Sequence, residues 1–406
     1  MEFIKEKELL RICPICKSKK GHVLHTQKMI LPDGYLLASD FDIIKCSKCG
    51  FIYLNSESIQ KDYDNYYENL SKYESDITIT GSGVTEGDNL RFDNISKDID
   101  SVLNNKEANI LDLGCANGGL LVSLRNRGYN NIVGLDPSKV CVSNVMSKGI
   151  KAFQGNILST ELNNIAKDYG GFSCIVLSSV LEHIYDLSNA IKMVIRCLKD
   201  DGILCIEVPN VLKYDEYFTL PFQYYNIEHI NHFDHISLDN LLLTNGYSCI
   251  SLKENEDIVT LEQKYPVLTA FYNKQNNDEL LSNDYIYDKY IKEINDYISK
   301  SKSNARRINA KIENIFVDFQ SVVVWGTGMY VSWLLANTSL SKFNIKVFVD
   351  NDRKKQGGSM TGVKIISPEQ LENYNEPILI CSIYYSDDIE RQIKGNKLNN
   401  KVTKID

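Results

Sequence analysis

Short runs of β-branched and other apolar residues alternate with helix-like stretches between residue 106 and about residue 270. This alternation is typical of a parallel β-sheet that is flanked by helices. By residue number, the predicted strands are 109–113, 131–135, 150–154, 174–178 and 202–208. A second unit of the same kind begins at Ser321, with the apolar run SVVVW, and continues to the end of the sequence. The predicted fold class is therefore α/β, with two sheets of Rossmann-like type.

The regions around these two sheets have different patterns. Residues 1–58 hold short strand-like runs and paired cysteines, and residues 59–105 are polar and rich in tyrosine. Residues 284–318 are highly charged and contain neither proline nor glycine, which predicts one long helix. We therefore predict a small N-terminal module at 1–58, an α/β domain at 59–275 with 59–105 as its lead-in, a helical linker at 276–318, and a C-terminal α/β domain at 319–406.

Composition narrows the functional classes. Hydrophobic residues make up 43% of the 406 residues, which is enough for folded cores, and the net charge is −8, which disfavours a nucleic-acid partner. The N-terminal segment is charged rather than apolar, and no apolar run approaches the roughly 20 residues of a membrane helix. We therefore expect a cytoplasmic protein whose eleven cysteines are reduced or bind metal.

Four of the cysteines form two CxxC pairs. The pairs are Cys13 with Cys16 and Cys46 with Cys49. Each CxxC knuckle can place two thiolates on one ion, and two knuckles complete a tetrahedral shell for Zn²⁺. Redox-active or incidental pairs are the alternative, but Pro14 and Gly50 suit the tight turns of metal knuckles. Because four thiolates leave no open coordination position, the predicted zinc is structural and the predicted module at 1–58 is zinc-binding.

A glycine-containing turn follows the first predicted strand of the large domain, in the stretch NILDLGCANGGLL. Small residues at such a turn let the backbone approach a ligand, and the following helix N-terminus favours negative groups. Asp136 ends the second strand, where a carboxylate can bind a ribose diol. Asn156 follows the third strand and could face an adenine edge. The fourth strand leads into Ser178 and the stretch SVLEH.

These four stretches, in this order and spacing, resemble the class I S-adenosylmethionine (SAM) methyltransferases. The resemblance implies a seven-stranded sheet and a SAM site. Its predicted residues are Asp112, Gly114 and Gly118 near the methionine moiety, Asp136 at the ribose, Asn156 at the adenine, and Cys115, Pro137 and Ser178 beside them. The sequence departs from the family pattern at Ala116, where the middle glycine is missing, and at Asn156, where aspartate is commoner.

The whole layout also resembles the three-part sugar C-methyltransferases, which act on nucleotide-bound keto sugars. That family carries a Glu-His pair followed by aromatic residues, and the counterpart here begins at Glu228 and His229. Asn226 and His232 stand where the family has tyrosines, which leaves the substrate and the methylated atom open. The C-terminal turn around Gly326 and Gly328 resembles the same family, and it either contacts a ligand or simply lets a helix pack on a strand.

Methylation of a carbon beside a ketone requires a base for the proton and stabilisation of the enolate oxygen. His229 is the predicted base, with Glu228 orienting it, and His183 is expected at the same crevice. Tyr73 is predicted to close over the substrate. His232 and His235 are expected to be structural, because the HxxHxxH spacing fits no common metal-ligand pattern.

The predicted function is a SAM-dependent methyltransferase that acts on a sugar or glycan-linked substrate for a surface glycan. C-methylation of a nucleotide-linked keto sugar is the leading interpretation. N- or O-methylation of a glycan-linked amine, hydroxyl or phospho-linked acceptor is the alternative, and a non-catalytic SAM-binding scaffold is an alternative of another class. The expected partners are a nucleotide sugar and other enzymes of surface-glycan synthesis, with no nucleic acid and no membrane span.

Overall fold

The structure is a computed structural model that describes residues 6–69, 85–260, 263–274, 287–383, 385–396 and 398–405. In chain order, the strands are β1 (Glu6–Glu8), β2 (Lys20–Lys28), β3 (Asp40–Cys46), β4 (Ile52–Asn55), β5 (Ile110–Leu113), β6 (Ile132–Asp136), β7 (Lys151–Gln154), β8 (Phe172–Ser178), β9 (Leu198–Pro209), β10 (Asn231–His232), β11 (Tyr247–Thr260), β12 (Gln263–Lys274), β13 (Ser321–Trp325), β14 (Asn344–Val349), β15 (Ser359–Met360), β16 (Val363–Ile366), β17 (Ile378–Ile380) and β18 (Val402–Lys404). The α-helices are α1 (Gln60–Asn69), α2 (Glu86–Leu103), α3 (Gly119–Asn126), α4 (Lys139–Ser147), α5 (Thr160–Asp168), α6 (Leu187–Ile195), α7 (His235–Leu243), α8 (Tyr287–Asp318), α9 (Met329–Asn337) and α10 (Ser386–Gly395).

The backbone falls into two compact units, each assembled from several segments. The first unit comprises Met1–Leu24, Asp42–Tyr217 and Glu228–Ile294. The second comprises His25–Phe41, Phe218–Ile227 and Asn295–Asp406.

A seven-stranded sheet is the centre of the first unit, in the order β11-β12-β9-β8-β5-β6-β7. Strands β7, β6, β5, β8 and β9 pair in parallel, and β12 is antiparallel to both β9 and β11. All five predicted strands are confirmed, with ends that differ by one or two residues except at β9, which starts four residues earlier. The seven-stranded sheet that the methyltransferase resemblance implied is therefore present.

Helices cover both faces of this sheet, because successive strand residues alternate between its two faces. Leu111 and Leu113 of β5 pack in one core, with side chains of α5, α6 and α7. Ile110 packs in the other core, with side chains of α2, α3 and α4. Burial on both faces explains why β5 and β6 are almost continuously apolar in sequence. Asp112 and Asp136 are the two acidic residues in these buried strands, which marks them as functional candidates.

The N-terminal strands form a separate five-stranded sheet in the order β1-β2-β3-β4-β10. Its last strand, β10, comes from the distant stretch that contains Asn231 and His232 and pairs antiparallel with β4. Phe51 and Tyr53 belong to the same hydrophobic core as Leu111 of the central sheet. Three of the paired cysteines and Phe233, which follows β10, belong to this same hydrophobic core.

The second unit contains a six-stranded sheet in the order β15-β16-β14-β13-β17-β18. All its pairings are parallel except β15 with β16. Val323, Trp325 and Ile380 lie in its core with side chains of α10. The predicted C-terminal Rossmann-like sheet, starting at Ser321, is confirmed.

The predicted long helix is observed as α8, which spans 32 residues. Its predicted first residues, 284–286, lie outside the described part of the chain. No helix within the described ranges combines the length and apolar character needed to cross a bilayer.

Candidate active site

A cavity of about 490 Å³ lies at the carboxyl ends of β5, β6, β7 and β8. Open α/β sheets bind their ligands at this edge, where the loops that follow parallel strands meet. Helix α1 contributes Gln60, Asp64 and Tyr67 to the wall of the cavity. Seven of the eight predicted cofactor residues also line it, namely Asp112, Gly114, Cys115, Asp136, Pro137, Asn156 and Ser178. The sequence therefore identified seven residues that line one cavity. A role in cofactor binding stays a prediction for each of them.

The turn after β5 has the backbone shape that its glycines predict. Gly114 and Gly118 have φ angles of 82° and 79°, a left-handed conformation that favours glycine. A Cβ atom on Gly114 would lie 2.7 Å from a methyl group of Val180, and one on Gly118 would lie 2.8 Å from a methyl group of Val145. Gly118 is thus the residue before α3 that lets this helix pack, rather than one of the residues that line the cavity.

Asp136 holds this turn in place. Its Oδ2 accepts a hydrogen bond from the backbone N–H of Ala116 at 2.8 Å, and its Oδ1 accepts one from Ser138 at 2.9 Å. Ala116 is left-handed at φ 44°, so a residue that is not glycine occupies a strained conformation that this bond helps to stabilise. A carboxylate has two oxygens that accept hydrogen bonds, and this is the acceptor pair that a ribose diol requires.

Asp112 is buried and lines the cavity. Burial and then the nearby charge of Asp136 raise the pKa of its carboxyl, Arg91 lowers it, and together they place this pKa at about 7. The pKa is therefore poised so that a bound cation converts the carboxyl to carboxylate near neutral pH. A sulfonium or ammonium group is the kind of ligand charge that would do this.

Asn156 follows β7 and faces α1. Its side-chain oxygen accepts a hydrogen bond from Leu158 N–H at 2.9 Å, and its Nδ2 lies 3.5 Å from Oδ1 of Asp64. Gln60 also donates to Asp64, at 2.9 Å. Helix α1 therefore orients the amide of Asn156, a contact that the sequence did not predict.

Arg91 of α2 is the one residue with a guanidinium or ammonium group among the described residues that line the cavity. Its Nη2 donates to the hydroxyls of Ser178 and Ser179 at 2.8 and 2.7 Å and to Glu207 at 2.7 Å, and its Nε lies 3.0 Å from Asp257. Sequence reasoning missed this residue. A search for a basic residue that could pair with the α-carboxylate of a methionine moiety would have found it.

His183 lies at the cavity in the short helical turn Leu181–His183 that follows β8. Its Nδ1 is 2.9 Å from the backbone carbonyl oxygen of Glu228 and 2.7 Å from the hydroxyl of Tyr67. Since a carbonyl oxygen only accepts, Nδ1 of the neutral ring carries the proton and Nε2 carries the lone pair. His183 therefore has the tautomer of a base that receives a proton at Nε2.

His229 lies next to His183. The two ring centroids are 4.9 Å apart and the rings are nearly perpendicular, while Nδ1 of His229 lies 3.2 Å from the hydroxyl of Tyr265. Ligand atoms of Glu182, His183 and His229 all lie within 4.8 Å of one another. Two imidazoles and one buried carboxylate therefore form one cluster beside the cavity.

The structure places the other residues predicted around His229 as follows. Glu228 is buried and its Oε1 accepts a hydrogen bond from Tyr66 at 2.9 Å. Tyr73, predicted to close over the substrate, lies outside the described residues. The predicted catalytic roles of His183, Glu228, His229 and Tyr73 stay predictions.

His232 and His235 lie in regular structure. His232 is fully buried in β10, its Nδ1 is 3.2 Å from the hydroxyl of Tyr214, and burial, followed by the charge of Arg11, lowers the pKa of its imidazole to about 3. His235 begins α7, directly after the N-cap residue Asp234. A neutral buried ring and a helix-start residue agree with the structural role expected from the sequence.

The four paired cysteines form one cluster. Their sulfur atoms lie within 4.8 Å of one another, with 3.5 Å from Cys13 to Cys49 and 3.4 Å from Cys16 to Cys46. These distances exceed a disulfide bond and approach the edge of a tetrahedron with sulfur about 2.3 Å from a central zinc. The backbone of each knuckle closes with a hydrogen bond, from Lys17 to Cys13 and from Gly50 to Cys46. The donor set therefore fits a zinc ion.

The C-terminal turn around Gly326 is closed by Asp350. The backbone N–H and the hydroxyl of Thr327 both donate to Asp350 Oδ2, the N–H at 3.1 Å, and Lys355 lies 3.3 Å from the same oxygen. This carboxylate is therefore engaged by the turn itself. The arrangement explains the glycine turn as packing and leaves ligand contact a prediction.

Comparison with known proteins supports the methyltransferase interpretation for part of the chain. A family profile described as "Methyltransferase domain" matches residues 89–252, and one described as "C2185-like, N-terminal" matches residues 319–404. The mitochondrial ubiquinone biosynthesis O-methyltransferase of Bos taurus is 32% identical over 108 residues, which cover 25% of this chain and 28% of the relative. YqeM of Bacillus subtilis, which carries a methyltransferase name, is 28% identical over 131 residues, 31% of this chain and 52% of the relative.

This chain thus spans about half or less of the length of the curated relatives that it matches. Among solved structures, a SAM-dependent methyltransferase of Clostridium acetobutylicum is similar with 14% identity and a TM-score of 0.36, over 46% of this chain and 92% of the other. One from Anabaena variabilis is similar with 16% identity and a TM-score of 0.36, over 50% and 97%. The profile match covers β5 to β9, whose carboxyl ends form the cavity. Residues 89–252 therefore match a methyltransferase domain, in the part of the chain where the sequence resemblance predicted one.

Proposed function

We propose that the chain transfers the methyl group of SAM to a sugar or glycan-linked acceptor, with a carbon of a nucleotide-linked keto sugar as the leading target. The observation that carries the proposal is the contact between His183, which lines the cavity, and His229, whose ring centroid lies 4.9 Å from that of His183. When bound, SAM supplies an electrophilic methyl group, so the protein must hold a nucleophile in line and remove its proton.

The protein residues can divide these tasks. Asp136 would hold the ribose, Asn156 the adenine edge and Arg91 the α-carboxylate. His229 would take the proton from the acceptor carbon, and Nε2 of His183 would hold or relay it, as the tautomer of His183 allows. The hydroxyls of Tyr66 and Tyr67, bonded to Glu228 and His183, would keep both groups oriented.

Methylation of an amine is the second candidate. Asp64 and Glu68 of α1 both line the cavity. Carboxylates beside the acceptor site would suit a protonated amine, and the same histidines would then deprotonate it. The departures from the sugar C-methyltransferase pattern at Asn226 and His232 also leave room for this alternative.

Further proposals follow from the resemblance in the sequence. We propose a cytoplasmic enzyme of surface-glycan synthesis that works beside other enzymes of that pathway. We also propose the four-part division at 1–58, 59–275, 276–318 and 319–406, with one structural zinc in the first part. The Cys₄ cluster supports the zinc proposal, because its sulfur separations fit the ion.

The test is to incubate the protein with ¹³C-methyl SAM and three acceptors, a nucleotide-linked keto sugar, a nucleotide-linked amino sugar and a hydroxyl analogue. NMR then locates the labelled methyl group. A methyl group on carbon supports the leading proposal, one on nitrogen or oxygen replaces it with the alternative, and absence of both SAM binding and transfer removes the enzyme interpretation.

A pair of histidine variants tests the base. His229→Ala is expected to lower the transfer rate by roughly 10²- to 10⁴-fold with SAM affinity unchanged, since it removes only proton transfer. His235→Ala, in the same stretch but at the start of α7, is the matched control and should keep near wild-type activity. If His229→Ala transfers methyl at the wild-type rate, another group is the base.

A further inference from the structure

Arg11 is an arginine that neither the sequence motifs nor the cofactor cavity explains. It lies two residues before Cys13, and only 3% of its surface is exposed. Its Nη1 donates to the carbonyl oxygens of Leu54 and Ile230, and its Nη2 donates to those of Ile184 and Tyr185. A buried guanidinium that is directed at backbone carbonyls fixes the path of the chain rather than binding a solvent-accessible ligand.

Three of the four carbonyls that Arg11 binds follow the two histidines closely in sequence. Ile184 and Tyr185 come after His183, with N···O distances of 3.3 and 2.6 Å. Ile230 comes after His229, with a distance of 2.9 Å. One side chain therefore bonds to both segments that carry the imidazoles of the site.

Asn231 continues this link. Nη2 of Arg11 donates to its Oδ1 at 2.9 Å, and Nδ2 of Asn231 donates to the carbonyls of Leu181 and Ile184 at 2.8 and 2.7 Å. The backbone N–H of Ile230 also donates to the carbonyl of Glu182 at 2.8 Å. The turn that carries His183 and the stretch after His229 are thus joined by hydrogen bonds that meet at Arg11.

The surroundings of Arg11 suit a guanidinium. None of the ion pairs formed by described residues includes Arg11, and its neighbours are carbonyl oxygens, Oδ1 of Asn231 and the ring faces of Tyr53 and Tyr185, at 5.7 and 4.6 Å. The planar fork of arginine reaches several acceptors at fixed angles, whereas a lysine ammonium presents its donors from one point.

We propose that Arg11 is the positioning residue of this site, and that it sets the separation of His183 and His229 by tying their segments to the zinc knuckle. The effect of Arg11 on catalysis rests on the proposed function. Its effect on the positions of the two histidines does not. With Arg11 in place, Nδ1 of His183 stays aimed at the carbonyl of Glu228, and Nε2 keeps its lone pair for proton transfer.

The direct readout is the tautomer of His183. Only six histidines are present, so ¹⁵N-histidine labelling and long-range ¹H–¹⁵N NMR resolve each ring, with His183→Gln assigning the relevant signals. The wild-type protein should show the proton of His183 on Nδ1. Arg11→Gln should shift this ring to a mixture of tautomers, and Arg11→Lys should recover part of the wild-type pattern.

Arg127→Gln is the matched control. Arg127 also donates to partners in the first unit, to Oγ of the buried Ser96 at 2.8 Å and to the carbonyl of the exposed Asp93 at 3.2 Å, but both belong to α2. Its loss should leave the His183 signals unchanged. Zinc content and melting temperature, measured on every variant, report whether the knuckle and the fold survive.

Several outcomes decide the proposal. A folded, zinc-loaded Arg11→Gln protein with the wild-type His183 tautomer overturns it, as does an equal change in Arg127→Gln. If Arg11→Gln does not fold, Asn231→Ala, which removes the linking amide but keeps Arg11, should give the mixed tautomer, and a wild-type pattern there overturns the proposal.

Activity separates this inference from the proposed function. Calorimetry with SAM should give the same affinity for Arg11→Gln and wild type, because Arg11 reaches the cavity only through the backbone of Ile184 and not through Asp112, Gly114 or Asp136. Where an acceptor is methylated, kcat should fall roughly 10- to 100-fold with little change in KM for SAM, as expected for misplaced catalytic groups. If wild type binds no SAM, the proposed function fails, while the NMR result still decides the role of Arg11.

Discussion

Replacing Asp136 with alanine is expected to weaken SAM binding strongly while the domain stays folded. Asp136 ends β6 and is buried, and its two oxygens accept hydrogen bonds from Ala116 and Ser138. In the proposed complex the same oxygens would accept the two ribose hydroxyls. The substitution therefore removes the ribose acceptor and loosens the turn that shapes the site.

The magnitude follows from the bonds involved. A hydrogen bond to a charged group contributes about 1.5–3 kcal/mol, and water replaces part of what is lost, so two ribose bonds amount to about 2–4 kcal/mol. That range corresponds to a dissociation constant roughly 30- to 700-fold weaker. Asp136→Asn keeps one acceptor oxygen without the charge, and should lie nearer tenfold.

Isothermal titration calorimetry with SAM is the assay, and circular dichroism melting confirms folding. Asp200→Ala is the matched control. The side chain of Asp200 is 99% exposed, pairs with Lys274 and lies near the amino end of β9, whereas the cavity lies at the carboxyl ends of the strands. The affinity of this variant should equal that of wild type. If Asp136→Ala binds SAM within about threefold of wild type, the ribose assignment is wrong.

Three further predictions address other parts of the site. SAM affinity should increase from pH 5.5 to pH 8, because Asp112, with a pKa of about 7, becomes a carboxylate that attracts the cationic cofactor; calorimetry should show that Asp112→Asn removes most of this increase. Arg91→Met should weaken SAM about tenfold or more but leave 5′-methylthioadenosine, which lacks the α-carboxylate, nearly unaffected; equal losses in competition binding would contradict the assignment. Metal analysis should find one zinc per chain, lost in Cys16→Ser and retained in the matched control Cys249→Ser; a metal-free wild type with four reactive thiols would refute the zinc site.

The central sheet could be predicted because its strands are buried on both faces. Residues 110–113 and 132–136 are almost continuously apolar, and the acidic residues at positions 112 and 136 stand out against that background. The same contrast identified the cavity, since residues that follow parallel strands must meet at one edge. Local pattern was sufficient wherever the strand and its functional residue were adjacent in sequence.

The remaining parts of the site depend on contacts between distant segments. Arg91 and Arg11 lie in stretches with no motif, and their contacts form only when α2 and the first CxxC pair are packed beside the sheet. His232 belongs to β10, a strand of only two residues that pairs with β4 about 180 positions earlier in the chain. A strand this short has no periodic pattern from which it could be predicted. The predicted place of Gly118 near the methionine moiety stays a prediction, and its contact with Val145 before α3 is a packing feature that the sequence did not reveal.

The most direct test of whether this cavity is the cofactor site of a methyltransferase is a crystal structure of the protein in complex with S-adenosylhomocysteine. The account predicts the ribose hydroxyls within hydrogen-bond distance of Asp136, the α-carboxylate at Arg91, and the sulfur facing His183. A cofactor bound elsewhere, or one whose ribose does not contact Asp136, would contradict the account.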